Sequence, residues 1–275
     1  GIGGETSKYI TVSTSIGNMT RVATDEKGGQ TFEEGDEISV YAWTGDATVA
    51  PETRERVVNN AINKLTNGSW ISNPQMLWKN NRDKHYFIGV YPISAISDLS
   101  AGEYTFDETK QVESDLLVAV NKDGLSYNVD EQQPVPLTFT HVMAKLVVNL
   151  TYKNQWGGIP TVEKVVVGNA AKEATINYLT KVVTPSTTAK EDFSLPEITE
   201  NTKYVSVIIP QEDVKQLTIV IGGKNFVYDN GTPFKLESGK ITTVNLEVGR
   251  DEIKLGDVKI TDWEDGSTFG GEALN

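Results

Sequence analysis

Few residues of this chain have the types and spacing that catalysis or metal binding requires. The sequence has two histidines, His85 and His141, and no cysteine, which excludes a cysteine nucleophile and thiolate metal sites. It contains no Gly-x-Ser-x-Gly, P-loop, His-Glu-x-x-His or Gly-x-Gly-x-x-Gly motif. Both histidines lie in strand patterns, where we expect hydrogen-bonded packing residues. We therefore predict no enzymatic activity, no metal and no cofactor.

Tryptophan rings can stack on sugars, so the five tryptophans are the candidate ligand contacts. Trp43, Trp78 and Trp263 lie within or beside strand patterns and are expected to pack in a core. Trp70 and Trp156 lie next to turns rich in Asn and Gly and are expected to be exposed. Trp156 precedes a Gly-Gly pair and is the predicted ligand-contact residue.

The composition is that of an acidic globular protein. The 275 residues include 25 lysines and arginines against 38 aspartates and glutamates, which gives a net charge of −13. An acidic chain without a basic cluster repels phosphate backbones, so we predict no nucleic-acid partner. The sequence has no run of about 20 apolar residues, so it predicts no membrane-spanning helix. The length suits one large domain or two ordinary ones.

Apolar and polar residues alternate in short runs almost throughout the chain, as in half-buried β-strands. In the first run Ile10, Val12 and Ile16 point to one side. The dipeptide Asn67-Gly68 separates two later runs and predicts a two-residue hairpin turn. The predicted strands are 8–16, 36–43, 60–66, 68–72, 85–91, 115–120, 137–152, 162–167, 174–179, 204–209, 217–221, 225–228, 240–248 and 257–263.

The number of predicted strands favours two β-sandwiches, because one sandwich holds about seven to nine strands. The polar, proline-containing segment 130–136 precedes the longest strand pattern. We therefore predict one domain over residues 1–135 and another over 136–275. Only residues 52–64 offer a competing helix, since Val57, Val58, Ala61 and Ile62 approximate helical spacing.

Five segments, spread over nearly the whole chain, carry a further pattern. They are Met19–Thr24, Thr31–Ala42 (containing F-x-x-G-D-x-I-x-V-Y-A), Tyr86–Pro92, Asp115–Ala119 with Pro136–Val148 (containing L-x-F-x-H-x-x-A-K-L), and Leu236–Leu246 with Val258–Trp263. In this order and spacing they resemble the fimbrillin family of the Bacteroidales, the subunits of type V pili.

The resemblance implies an architecture and a mode of assembly. Fimbrillins consist of two tandem transthyretin-like, Greek-key β-sandwich domains, so an all-β fold of this kind is expected. They reach the cell surface as lipoproteins, attached to the outer membrane through a lipid on an upstream Cys. A protease then cuts after an arginine and removes the first strand, and the open groove accepts a donor strand from another pilus subunit. Carried onto this sequence, the removable strand is Lys8–Met19 and the cut follows Arg21.

The position of the subunit in a pilus is a separate question. The segment 264–275 has only Phe269, Ala273 and Leu274 as apolar residues. It is therefore expected to be a poor donor strand, which favours a tip, anchor or accessory subunit. Host or bacterial surface ligands are possible partners in such a role. The alternative is an outer-surface glycan-binding lipoprotein, which would bind sugars through exposed aromatic rings and release no strand. A secreted hydrolase is disfavoured because its motifs are missing.

The physics of an exchangeable strand supports the first interpretation. A sandwich that lacks one strand exposes unpaired backbone groups and an apolar slot, which together template the pairing of another strand. Burial of Ile10, Val12 and Ile16 contributes roughly 4–9 kcal/mol before entropy is counted. A comparable domain is stable by about 5–15 kcal/mol. We therefore expect loss of the strand to bring the domain close to unfolding unless a donor replaces it.

Overall fold

The structure is a computed structural model that describes residues 8–17, 31–128 and 133–263. The regular structure of the described residues is nearly all β-strand, so the predicted all-β fold is confirmed. It divides into two compact units. The first contains the described residues up to Glu103 with Leu116–His141 and Ile176–Val182; the second contains Tyr104–Asp115, Val142–Thr175 and the described residues from Val183 onwards. The predicted domain boundary between residues 135 and 136 stays a prediction.

The described residues of the first half of the chain form ten strands and two single-turn helices. The helices are a 3-10 turn, Thr53–Glu55, and α1, Gln111–Ser114. The strands are β1 (Tyr9–Ile10), β2 (Val12–Ile16), β3 (Glu37–Thr44), β4 (Val58–Thr66), β5 (Ser69–Asn73), β6 (Met76–Leu77), β7 (His85–Tyr91), β8 (Gly102–Thr105), β9 (Leu117–Leu125) and β10 (Val135–His141).

The second half of the chain, as far as Trp263, forms eleven further strands. They are β11 (Ala144–Tyr152), β12 (Val162–Ala171), β13 (Glu173–Asn177), β14 (Val182–Pro185), β15 (Lys190–Ser194), β16 (Glu197–Thr199), β17 (Lys203–Ile208), β18 (Gln216–Ile221), β19 (Lys224–Asp229), β20 (Lys240–Val248) and β21 (Ile253–Asp262).

The first unit is built on a seven-stranded sheet with the order β2-β10-β9-β7-β3-β4-β5, and β1 pairs separately with β6. All pairs in the larger sheet are antiparallel except β2–β10, which is parallel. The inward side chains of this sheet form one apolar core. Its fully buried members include Ile38, Val40, Phe87, Leu137 and Phe139.

The second unit contains a five-stranded sheet, β16-β17-β11-β20-β21, and a four-stranded sheet, β15-β12-β18-β19. The pair β11–β20 is parallel and the other pairs are antiparallel. Alternate residues of the central strands are fully buried, as a two-layer sandwich requires; they include Leu146, Val148, Val165, Ile219 and Val244.

The predicted hairpin at Asn67-Gly68 is confirmed, and its geometry explains the choice of residues. Asn67 and Gly68 both have positive φ angles, 51° and 80°, as a two-residue turn between twisted strands demands. The Glu34 carboxylate accepts hydrogen bonds from both of their backbone N–H groups, each at 2.8 Å. This turn fixes the register of β4 and β5.

The alternative helix over residues 52–64 is wrong, because β4 occupies most of that range. The pairing of β3 with β4 shifts register between Val40↔Ala61 and Ala42↔Val58, so β4 carries a bulge. The extra residue puts Val58 and Ala61 on the same buried face although they are three positions apart. Asn60, within the bulge, has a φ of 53°, which a right-handed helix cannot contain.

Candidate functional site

The segment Tyr9–Ile16, here called the first strand, is paired along its length but not to a single partner. Its first two residues form β1 and pair antiparallel with Met76 and Leu77 of β6. The remaining five form β2 and pair in parallel with Val135–Phe139 of β10. The first strand therefore joins two strands that belong to different sheets.

Backbone hydrogen bonds fix both ends of the first strand. The Trp78 N–H donates to the Lys8 carbonyl at 3.1 Å. The Val135 N–H donates to the Thr11 carbonyl, and the Gly17 N–H donates to the Phe139 carbonyl, each at 2.8 Å. Within the described residues, β2 has only β10 as a strand neighbour, so it is an edge strand of the seven-stranded sheet.

The three apolar residues predicted to face inward all do so. Ile10, Val12 and Ile16 are 3%, 6% and 2% exposed and belong to the apolar core of the first unit. The first strand is thus an edge in its backbone pairing and a core element in its side chains. Whether the strand can be exchanged is not decided by burial and stays a prediction.

The core beneath the first strand is shaped by two phenylalanines. The Phe139 ring rests on the backbone of Gly89, where an added Cβ would lie 2.6 Å from Phe139 Cζ. Phe32 packs edge-on against Phe139, Trp70 and Tyr91, with ring centroids 5.1–5.4 Å apart. These contacts form an aromatic cluster, here called the groove floor, in the same apolar core that the inward side chains of the first strand fill.

A cleft of about 660 Å³ runs along the first strand, between β2 and the β4–β5 hairpin. Trp70 of β5 lines this cleft and donates its indole N–H to Thr14 Oγ1 of β2 at 3.0 Å. Trp70 is only 9% exposed, so the prediction that it is exposed is wrong. Its position beside a turn was misleading, because its ring points inward from β5 onto Phe32.

The cleft and the first strand offer surface complementarity but no reactive chemistry. β2 has the sequence Val-Ser-Thr-Ser-Ile and carries no charge. The described residues contain no group of three or more His, Asp or Glu side chains that could hold a metal ion. The first strand is itself an extended peptide held in this way, through backbone pairing with β10 and the burial of alternate side chains in the apolar core.

The other predicted site residues lie elsewhere. Arg21 falls outside the described residues, so the predicted cut remains a prediction. Trp156 is half-buried and donates its indole N–H to the Val248 carbonyl at 3.0 Å. Its ring meets Phe226 edge-on, and the Arg250 guanidinium lies 5.2 Å from its centroid. A role for Trp156 in ligand contact stays a prediction.

His85 is a hydrogen-bonded packing residue, as predicted. It is fully buried, and its Nε2 accepts the Lys79 N–H at 3.0 Å. Its Nδ1 lies 2.9 Å from the Asp83 carbonyl oxygen, which is consistent with a neutral ring that donates from Nδ1. Burial lowers the pKa of the His85 imidazole, against the raising effect of the Asp83 carbonyl. Trp78 packs edge-on against this ring, 4.9 Å away.

The sequence profile of the fimbrillin-like family matches residues 20–263. The chain belongs to the fimbrillin-like family. The predicted resemblance is therefore confirmed, and this family comprises fimbrial and adhesion proteins rather than enzymes. No curated protein matches the chain in sequence. No helix among the described residues is long and apolar enough to cross a membrane.

Solved structures share the fold. A candidate cell adhesion protein from Bacteroides ovatus is 18% identical, with a TM-score of 0.70 over 93% of this chain and 98% of its own. Another from Bacteroides uniformis is 19% identical, with a TM-score of 0.68 and the same coverage. The tip fimbrial protein Mfa3 of Porphyromonas gingivalis, with C-terminal truncation, is 11% identical, with a TM-score of 0.53 over 84% and 95%. At these identities the likeness establishes the fold alone.

Sequence reasoning found the inward residues of the first strand but missed their partners. The parallel partner β10 lies more than a hundred residues away in the sequence, and periodicity does not reveal which strands are neighbours. Phe32 and Phe139 do lie inside the two family motifs, F-x-x-G-D and L-x-F-x-H. These motifs could have identified the groove floor.

Proposed function

We propose that this fimbrillin-like chain is a pilus subunit or pilus-associated adhesin that assembles by donor-strand exchange. The observation that carries the proposal is the dual character of the first strand. Its three inward residues fill the core, yet β2 is hydrogen-bonded to one strand neighbour only, within the part of the chain that the structure describes. An edge strand can leave without disturbing the pairing of any other strand, and the edge that it exposes templates a replacement.

The proposed cut separates the first strand from the rest of the chain. Arg21 follows Gly17, the last described residue of the segment, by four positions. After cleavage, the pairing with β6 and β10, the three buried side chains and the Trp70–Thr14 hydrogen bond would hold the first strand in place. A donor strand from another subunit would then pair in parallel with Val135–Phe139 and fill the pockets of Ile10, Val12 and Ile16.

Family membership supports a pilus-subunit role and a place at the cell surface. Within that role we favour a tip, anchor or accessory subunit, attached to the outer membrane through a lipid on an upstream Cys. The proposed partners are other pilus subunits, joined by β-strand addition, with host or bacterial surface ligands as further partners.

Cleavage with an arginine-specific protease tests the proposed processing. The control is Arg21→Lys, which keeps the charge but removes the cleavage site. The control is needed because other arginines, such as Arg54, are highly exposed. We expect mass spectrometry to show an early cut after Arg21 in the wild-type chain that is missing from the Arg21→Lys chain under the same conditions. Equal fragment patterns for the two chains would contradict the assigned cut.

Exchange itself is tested with a fluorescent peptide of residues 8–19. We expect its anisotropy to rise with the cut protein and not with the intact protein, because the peptide can displace the first strand only after cleavage has separated that strand from the chain. The same peptide with Ile16→Asp should not bind, since it would bury a charge. Binding of both peptides, or of neither, would contradict strand exchange. An intact monomer that binds to a glycan array would instead support the glycan-binding alternative.

A further inference from the structure

The last described strand, β21, forms an edge of unusual exposure in the second unit. It pairs with β20 on one side, and no other described strand pairs with it. Every residue from Gly256 to Asp262 is exposed, whichever face of the sheet it points to. A ten-residue strand at the edge of a sheet is a ready template for another strand.

The apolar side chains of β21 lie on the buried face of the sheet but are not covered. Val258 is opposite Val244 and Ile260 is opposite Thr242, and both of these β20 residues are fully buried. Val258 and Ile260 themselves are 37% and 41% exposed. The core of the second unit therefore covers Thr242 and Val244 of β20 completely but β21 only in part. The side chains of Val258 and Ile260 lie at the edge of the core, where they remain in contact with solvent.

The charges on the other face of β21 are arranged symmetrically about Val258. Asp257 and Lys259 flank it, and their side chains share the face opposite to Val258, with Lys259 Nζ 3.8 Å from Asp257 Oδ2. Both side chains remain well exposed, at 48% and 69%. In an antiparallel pair of two identical strands centred on Val258, Asp257 of each copy lies opposite Lys259 of the other.

Neighbouring registers are disfavoured. Opposed residues in an antiparallel pair have side chains on the same face of the sheet. A pair of two identical strands must therefore be centred on a residue and not between two residues. Centring the pair on Asp257 would oppose two aspartates, and centring it on Lys259 would oppose two lysines; like charges directly opposite are destabilising. The register on Val258 alone places opposite charges together and stacks the two Val258 side chains over the rim of the core.

We propose that β21 is a lateral contact between two copies of this chain, formed by antiparallel pairing of the two β21 strands about Val258. The contact is isologous, so it closes at two copies and cannot grow a fibre. It is therefore distinct from strand exchange, which joins subunits head to tail. In a surface protein it would link two chains, or two assemblies that carry them, side by side.

The dimer is expected to be weak, because a contact of about six residues per copy lies at the small end of specific interfaces. Sedimentation equilibrium of the full chain from about 1 μM to 1 mM should show a monomer–dimer equilibrium, with a Kd on the order of 0.1–1 mM. Asp257→Lys and Lys259→Asp should each weaken dimerisation about tenfold or more, since each opposes like charges twice. The control Lys164→Asp changes an exposed strand residue of β12 and should leave dimerisation unchanged.

Mixing the two charge variants isolates the intermolecular contact. The Asp257→Lys chain has lysine at both flanking positions, and the Lys259→Asp chain has aspartate at both. In the heterodimer every opposed pair therefore joins a lysine to an aspartate. We expect the 1:1 mixture to associate at least as tightly as the wild type, although each variant alone stays monomeric. A wild-type chain that is monomeric at about 1 mM, single variants that dimerise normally, or a mixture that fails to associate would each overturn the proposal.

Discussion

Two edge strands of this molecule, β2 and β21, have the same kind of position in their sheets and opposite relations to the core. β2 is five residues long, uncharged, and holds Val12 and Ile16 almost completely buried. β21 is ten residues long, charged, and exposes Val258 and Ile260. Both leave one backbone edge without a described strand neighbour.

The difference shows that an edge position does not decide what a strand contributes. Removing an edge strand that fills the core lowers the free energy of unfolding of its unit. The unit then stays folded only if another strand with matching apolar side chains takes its place. An edge strand that extends beyond the core can pair with another strand while it keeps all of its own contacts. The first arrangement suits exchange and the second suits addition.

The largest expected effect follows from the buried side chains of β2. Ile16→Ala should lower the free energy of unfolding by about 2–5 kcal/mol, because it removes most of a buried side chain and leaves a cavity in the core. Ile260→Ala on β21 should lower it by less than about 1 kcal/mol, since that side chain is 41% exposed and its removal leaves no enclosed cavity. Urea unfolding at low micromolar concentration, followed by fluorescence, measures both. Equal losses would remove the contrast between the two edges.

The groove floor offers the next test, because Gly89 belongs to the core that β2 covers. Gly89→Ala would place a methyl group 2.6 Å from Phe139 Cζ and should lower the free energy of unfolding by about 1–3 kcal/mol through overpacking. Gly168→Ala is the matched control in strand β12, where the nearest atoms are 3.5 Å away. It should change stability by no more than about 0.5 kcal/mol. A harmless Gly89→Ala would mean that Phe139 shifts freely and that the floor is not rigid.

Most strands could be predicted from the sequence because alternation and turn residues are local signals. Strand β7 has the bounds that the alternation and the following Pro92 predict, and β20 spans 240–248 as expected. The long pattern over 137–152 is divided at Val142-Met143 into β10 and β11, in agreement with the length limit on a single strand.

The remaining features depend on tertiary contacts that local patterns do not encode. The bulge at Asn60 imitates helical spacing, and the split of the first strand at Thr11 interrupts no alternation. Gly222-Gly223 forms the tight turn between β18 and β19, and Leu236 pairs with Gln211 only as an isolated bridge. At the candidate site, the inward residues were predictable from period two, but the parallel partner and the inward turn of Trp70 were not.

Lowering the pH should reduce the free energy of unfolding of the first unit, which contains both His85 and the first strand. The folded-state pKa of His85 is lowered by burial, so below the ordinary value of about 6.5 the unfolded chain binds more protons than the folded one. The free energy of unfolding should therefore fall as the pH drops through about 6.5, by at most about 1.4 kcal/mol per pH unit. Urea midpoints at about pH 7.5 and 5.5, on either side of that value, measure this loss, and His85→Gln should flatten it. An unchanged slope in that variant would assign the pH dependence to other groups.

The smallest expected effect concerns the side-chain bond that ties β2 across the cleft to β5. Thr14→Val keeps the shape of the side chain but removes the acceptor of the Trp70 indole N–H, which should cost about 1 kcal/mol of the free energy of unfolding. Thr11→Val, at an exposed position of the same segment, is the control and should cost less than about 0.5 kcal/mol. In the cut protein, Thr14→Val should also speed the release of the first strand, because the bond exists only while β2 is in place. A release rate equal to that of the Thr11→Val protein would show that β10 and the buried side chains alone hold the strand.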